Sequence, residues 1–284
     1  MEKIAVITDS CADVPADIVE KYNIFVIPMM INCQDGEYRD GIDITAQDVY
    51  ERLKSELPKT SSPAGEDVLD TFEKVKNQGY DKAVMIMLSS GLSGTYNQIK
   101  MMAEDEGGLE IEVFDSHEAS LGNGAIVIQT AMYVAEGVGL AELKDKIKSL
   151  ILNTKVFFSI DTLEFLQKGG RIGKVTAVAG AVLNIKPILS FHPDDGEIYT
   201  AAKVRGSKAV MKELIKLVSE AKSSGRRFNI LVADGGASEQ CDILEQKLKE
   251  LYPDYTNLFR TKIGAALSVY LGDRLLGAGI QYLD

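Results

Sequence analysis

The chain has 284 residues, of which 45% are hydrophobic and 26% charged, with three cysteines and two histidines. That composition belongs to a globular protein with a sizeable core and excludes a disordered chain; no apolar run reaches the roughly 20 residues of a membrane helix. Thirty-one basic against 42 acidic residues leave a net charge of −11, which excludes sequence-independent nucleic-acid binding through phosphate neutralisation.

The first elements alternate. Lys3-Ile-Ala-Val-Ile-Thr enters a strand at once, without signal-peptide architecture, and stops at Asp9-Ser10. Cys11, Cys33 and Cys241 are widely spaced and odd in number, as in a reducing cytoplasm, so a cytoplasmic protein with no integral membrane association is expected. Val14 to Tyr22 reads as a helix with Pro15 in its first turn, and Phe25 to Asn32 as a strand that Pro28 places near an edge or bulge. Thr45 caps a helix from Ala46 to Leu57, and Ser62-Pro-Ala-Gly-Glu opens another through Val75. Ala83 to Leu88 is the most apolar strand, followed by Ser89-Ser-Gly-Leu-Ser-Gly-Thr and a helix from Tyr96. Ile111 to Phe114 is a strand ending at Asp115-Ser116, and Leu121 to Val138 a long, partly buried helix. Short apolar strands separated by helices define a parallel α/β sheet.

From Thr154 the rhythm changes. Val156 to Ile160, Pro187 to Phe191 and Glu197 to Val204 read as strands, the last two joined by His192-Pro-Asp-Asp-Gly. A helix from Ser207 to Ser223, the strand Phe228 to Ala233, a helix from Glu239 to Leu251 and two terminal strands complete the chain. The expected fold is α/β in two domains. Residues 1–153 form a three-layer parallel-sheet α/β domain, and residues 154–284 a two-layer α+β domain with a mixed sheet.

Strand ends deliver Thr8-Asp9-Ser10, Ser89-Ser90 and Asp115-Ser116 to loops, where ligands of open parallel sheets bind; ordinary helix capping is the alternative use. Ser89-Ser-Gly-Leu-Ser-Gly-Thr-Tyr combines hydroxyls, glycines and a helix start, an anion cradle in chemical terms. It is neither a Walker loop nor a nucleophile elbow. Lys59-Thr-Ser-Ser-Pro-Ala also precedes a helix, as a ligand contact or a plain cap. Val175 to Val182 is small and apolar, suited to tight helix packing or to the wall of a narrow tunnel. Arg171 and Arg205 follow turn-like sequence and are candidates for a partner surface. With no CxxC or HxxxH pair, no metal site is expected.

Several of these segments, in order, resemble the DegV family of bacterial fatty-acid-binding proteins, which includes the acyl-carrying subunit of fatty acid kinase. They are Ile4-Ala-Val-Ile-Thr-Asp-Ser, Thr60-Ser-Ser-Pro-Ala, Ser89 to Tyr96, Phe114-Asp-Ser, Leu163 to Ile172, Leu183-Asn-Ile-Lys-Pro-Ile-Leu and Lys203-Val-Arg-Gly. The resemblance implies one long-chain fatty acid such as palmitate between the domains. It sets the carboxylate near Thr60, Ser61, Ser93 and Gly94. It implies no catalytic residue and no cofactor and, in a kinase system, a partner subunit that supplies nucleotide, metal and phosphoryl transfer. Kinase-associated members carry an H-x-G-P-G segment near the C-terminus. Here Tyr270 stands at the histidine position and Asp273-Arg274 replace Pro-Gly. Tyrosine can donate a hydrogen bond to the carboxylate but brings no positive charge. A serine-dependent hydrolase or acyl-transfer enzyme using Ser93, and a lipid-sensing interaction protein without a kinase, are the rival readings.

Overall fold

The computed structural model describes residues 2–175 and 185–283. The first half runs β1 (Ile4–Asp9), α1 (Ala16–Tyr22), β2 (Phe25–Ile27), β3 (Met30–Cys33), β4 (Gly36–Arg39), α2 (Ala46–Arg52), β5 (Lys59–Ser61), α3 (Gly65–Asn77), β6 (Lys82–Met87), α4 (Thr95–Glu104), β7 (Glu110–Asp115), α5 (Leu121–Ala135) and α6 (Leu140–Asn153). The second runs β8 (Thr154–Ser159), α7 (Glu164–Lys168), β9 (Ile185–Phe191), β10 (Ile198–Arg205), α8 (Ser207–Ala221), β11 (Phe228–Gly235), α9 (Ser238–Leu251), β12 (Leu258–Lys262), α10 (Ala265–Leu271) and β13 (Leu275–Tyr282).

The N-terminal domain is built on a parallel sheet of order β2-β1-β6-β7. Both faces are covered, because alternate residues of each strand point to opposite sides. Ile4, Val6, Val84 and Ile86 meet Ile126, Leu143 and Ile147 of α5 and α6. Ala5, Ile7, Met85 and Met87 meet Phe72 of α3 and Ile99 of α4 on the other face. These are the three layers expected from the alternation of elements.

The C-terminal domain carries a mixed sheet of order β10-β9-β8-β13-β11-β12, in which β11–β12 is the parallel pair. Helices α8 and α9 bury Leu214, Val218, Leu244 and Leu248 on one face. The other face packs on the N-terminal domain, where Asn229 of β11 donates a 3.0 Å hydrogen bond to Gln129 of α5. Among the described residues no helix is long and apolar enough to cross a membrane.

Several local expectations need correction. The strand expected from Phe25 to Asn32 divides at Pro28. Its first part is the edge strand of the parallel sheet, and its second joins β4 and β5 in a small antiparallel sheet of order β4-β3-β5. Proline lacks the N–H that would carry one ladder through. The Thr45 cap is present as a full capping box with Asp48, but α2 closes at Arg52 rather than Leu57. Pro15 is the N-cap of α1 rather than part of its first turn. Helix α5 ends at Ala135, just before Gly137 at φ 87°. Helix α10 was missing from the expected elements because its seven residues are all buried and so show no amphipathic period. Val175 is buried, whereas residues 176–182 of the expected helix or tunnel wall lie outside the described residues.

One contact set ties the domains. Asp13 Oδ1 accepts the Gly264 N–H at 2.9 Å and Asp40 Oδ1 accepts the Ala265 N–H at 3.0 Å. Two N-terminal carboxylates thus satisfy the first free donors of α10. Their other oxygens accept from Ser120 at 2.5 Å and Ser10 at 2.7 Å, and Thr261 Oγ1 donates to the Asp13 carbonyl. Nearby Asp9 is fully buried, accepting the Leu88 and Cys11 N–H groups at 2.7 and 2.9 Å. It braces its loop, which is the capping use foreseen for such residues.

Burial pushes the pKa of Asp9 up to about 6, the two backbone donors offsetting part of the rise. A carboxyl with a folded-state pKa above its unfolded value of about 4 stabilises most when protonated. The contribution of Asp9, about 3 kcal/mol, is complete below about pH 4 and is lost as pH rises toward 6. Urea unfolding across this window should show wild-type stability falling more steeply than that of Asp9→Asn; identical slopes would contradict the assignment.

Candidate ligand-binding site

Between the domains lies a cavity of about 310 Å³, in the range of small-molecule sites. Its walls are mostly apolar. The N-terminal domain contributes Cys11, Met29, Leu88 and Leu121, and the C-terminal domain Phe157, Phe158, Phe191, Leu267 and Leu275. Polar side chains cluster at one end: Thr60, Ser61 and Ser62 around the end of β5, Ser93 before α4, Arg171 after α7, and Tyr270 on α10.

The polar end is held from both domains. Thr60 Oγ1 and the Tyr270 hydroxyl lie 2.8 Å apart, and the Thr60 N–H also points to that hydroxyl at 3.4 Å. The Arg171 guanidinium stacks over the Tyr270 ring, 5.0 Å from its centre. Its Nη1 donates to the Gly169 carbonyl at 2.8 Å and its Nε to the Leu92 carbonyl at 3.4 Å. Ser93 Oγ pairs with Thr95 Oγ1 at 2.9 Å, and Thr95 reaches Ser62 at 3.3 Å. Gly94 is the N-cap of α4 and leaves open space where a side chain would stand. The result is a hydroxyl-rich pocket with one guanidinium and a helix start, fitted to accept a single anionic group at the end of an apolar slot.

All five candidate ligand residues, Thr60, Ser61, Ser93, Gly94 and Tyr270, therefore line one cavity although they come from three separate segments. Arg171, expected at a partner surface, lines the same cavity, while Arg205 stands exposed at the end of β10. Ser62 and Thr95 extend the hydroxyl chain and went unnoticed as individual residues. The aromatic wall from Phe157, Phe158 and Phe191 was equally hidden, since consecutive aromatics in a strand do not declare which face meets a cavity. The sequence offered only their position on strands.

Gly169 has a specific part in this arrangement. A Cβ there would overlap Cδ1 and Cε1 of the Tyr270 ring, so glycine lets α7 approach α10 and brings Arg171 to the ring.

A two-domain α/β protein with an apolar interdomain cavity and one polar end is the class that fold and site define. The chain matches the family model described as an uncharacterised protein of the DegV family over residues 3–283, and it belongs to that family. A DegV domain-containing protein of Clostridium acetobutylicum is 38% identical over 283 residues, covering 99% of each chain. Among solved structures, the fatty-acid-binding DegV family protein of Thermus thermophilus is similar with a TM-score of 0.91 and 28% identity, over 99% of this chain and 100% of that one. The stearic-acid-binding protein of Eubacterium ventriosum is similar with a TM-score of 0.84 and 26% identity, over 99% and 98%.

Replacing Gly169 by Ala should displace Tyr270 and destabilise the protein by about 1–3 kcal/mol, as overpacking does. Tyr270→Phe, which removes only the hydrogen bond to Thr60, should lose about 0.5–1.5 kcal/mol. Urea unfolding of both variants checks this, and a Gly169→Ala protein as stable as wild type would show that the ring is not packed there.

Proposed function

We propose that this protein binds one long-chain fatty acid, of the palmitate class, between domains spanning residues 1–153 and 154–284. The observation that carries this reading is the apolar slot ending in Thr60, Ser93, Arg171 and Tyr270. Such a slot suits a flexible hydrocarbon chain with a carboxylate at one end. Burying a saturated sixteen-carbon tail contributes about 11 kcal/mol gross, at ~0.8 kcal/mol per methylene, before the cost of ordering chain and walls. The carboxylate takes hydrogen bonds from Thr60, Ser93 and Tyr270, with Ser61 and Gly94 beside it. Arg171 supplies the positive charge that tyrosine cannot. The fatty acids bound by the Thermus thermophilus and Eubacterium ventriosum proteins support the same ligand class here.

The reading extends to a carrier role in the cytoplasm, without a cofactor or metal and without chemistry of its own, in which the bound carboxylate is presented to a partner fatty acid kinase. Thr60, Arg171 and Tyr270 also line a neighbouring pocket with the exposed Lys59 and Lys168, so the head of the ligand lies close to solvent. The exposed Lys59, Lys168 and Arg205 are where such a partner would dock. For the hydrolase alternative, Ser93 would need a base. Its hydroxyl pairs with Thr95, and neither His117 nor His192 lines the cavity.

Thr60→Ala and Ser93→Ala should each weaken fatty-acid binding by about 0.5–3 kcal/mol, the span from a neutral to a charge-assisted hydrogen bond. Displacement of a fluorescent fatty acid measures the change. Two single variants binding as tightly as wild type would remove the proposed head-group site, and labelling of Ser93 by a fluorophosphonate would favour the hydrolase.

A further inference from the structure

One wall of the interdomain cavity is a face of the mixed sheet. Along β13 the cavity touches Leu275 and Gly277, and along β11 it touches Ala233. The register pairs Ala233 with Gly277 and Gly277 with Phe158 of β8, so these residues form one row across the sheet on a single face. In the next row Gly279 stands between Leu231 and Val156. Leu231 is fully buried, and neither it nor Gly279 lines the cavity. One row further, Asn229 donates to Gln281 and to Gln129 of α5, each at 3.0 Å, and joins the sheet to that helix. The row of Ala233 and Gly277 is therefore the last that the cavity reaches on β11 and β13. Strand β13 follows α10 through a short turn, so its course leads away from the helix end that carries Tyr270.

Glycine inside a strand lowers stability and marks a bulge, a close approach of another backbone, or the place of a ligand. The ladders on both sides of β13 run through residue 277 without a shift, which excludes a bulge. Its φ lies outside the left-handed region, so the backbone does not demand glycine. Gly279 has a backbone cause, since a Cβ there would stand 2.6 Å from the Lys155 carbonyl oxygen. Gly277 has none. A Cβ there would meet the Ala233 methyl at 3.0 Å, a contact relieved by a small shift, and then the Phe157 carbonyl oxygen and Phe158 Cβ at 3.6 Å. What the missing side chain leaves is room in the cavity between Ala233 and Phe158.

We propose that Gly277, with Ala233 beside it, sets the upper length of the acyl chain this protein accepts, the last carbons of the ligand lying over this row. The proposal rests on the fatty-acid reading above and adds the residues that select among chains. A methyl group at position 277 takes space that the end of a long chain needs, and a packed cavity does not absorb an added methyl freely. A shorter chain stops before the row and is indifferent to it.

The test measures binding of dodecanoate, tetradecanoate, hexadecanoate and octadecanoate to wild type, Gly277→Ala, Ala233→Gly and the double variant that exchanges the two residues. Gly277→Ala should weaken the longest acid that wild type binds tightly by about tenfold and leave dodecanoate unchanged. Ala233→Gly should shift the preference toward longer acids. The exchange moves one methyl across the row without changing its total volume, and should restore the wild-type ranking. An equal loss for every acid in Gly277→Ala would overturn the proposal. So would an exchange variant as impaired as Gly277→Ala, because the defect would then lie in the strand and not in the room above it. Should Gly277→Ala fail to fold, Ala233→Gly decides, and an unchanged ranking there contradicts the proposal. If none of these acids binds wild type, the fatty-acid reading itself falls.

Discussion

The capping of α10 by Asp13 and Asp40 is the interaction on which the site depends. Helix α10 belongs to the C-terminal domain, yet its first two N–H groups are satisfied by carboxylates from the N-terminal domain. That helix carries Tyr270, whose hydroxyl meets Thr60 on the N-terminal side. The domains are therefore clasped at both ends of one short helix, and the cavity lies beside it. A helix of seven residues has little stability of its own; here capping and complete burial hold it in place.

The same clasp carries a cost. Burial raises the pKa of Asp9, Asp13 and Asp40, and the charge of Asp40 adds to the rise at Asp9 and Asp13, as does that of Asp9 at Asp13. Their oxygens are occupied by serine hydroxyls and backbone N–H groups rather than by cations. Such an arrangement is tolerable because every acceptor is met and part of the charge is neutralised by protonation. Asp9 and Asp13 sit at and just after the end of β1, the place where parallel sheets usually present ligand-binding loops. In this protein the hydroxyl-rich end of the interdomain cavity is built from β5 and the loop after β6, and the loop after β1 holds the domains together.

Much of this was legible in the residues. The alternation of apolar faces in β1 and β6 fixes a sheet covered on both sides, and the change of rhythm after Asn153 coincides with β8, a strand of the mixed sheet. Hydroxyls at Thr60 and Ser93 precede helices and were recognisable as donors. Other features depend on tertiary contact and leave no local trace. A fully buried α10 looks like generic core. Arg171 resembles any arginine after a turn until Tyr270 comes to lie beneath it. Pro28 signals an interruption in the chain, but not that Met30 begins a strand of another sheet.

Native mass spectrometry of the protein as purified from its expression host, followed by organic extraction, addresses the central claim most directly. A mass excess corresponding to one saturated or monounsaturated long-chain fatty acid, recovered as that acid in the extract, is the predicted result. A protein at its bare sequence mass, with no lipid in the extract and no fatty acid taken up on incubation, would contradict it.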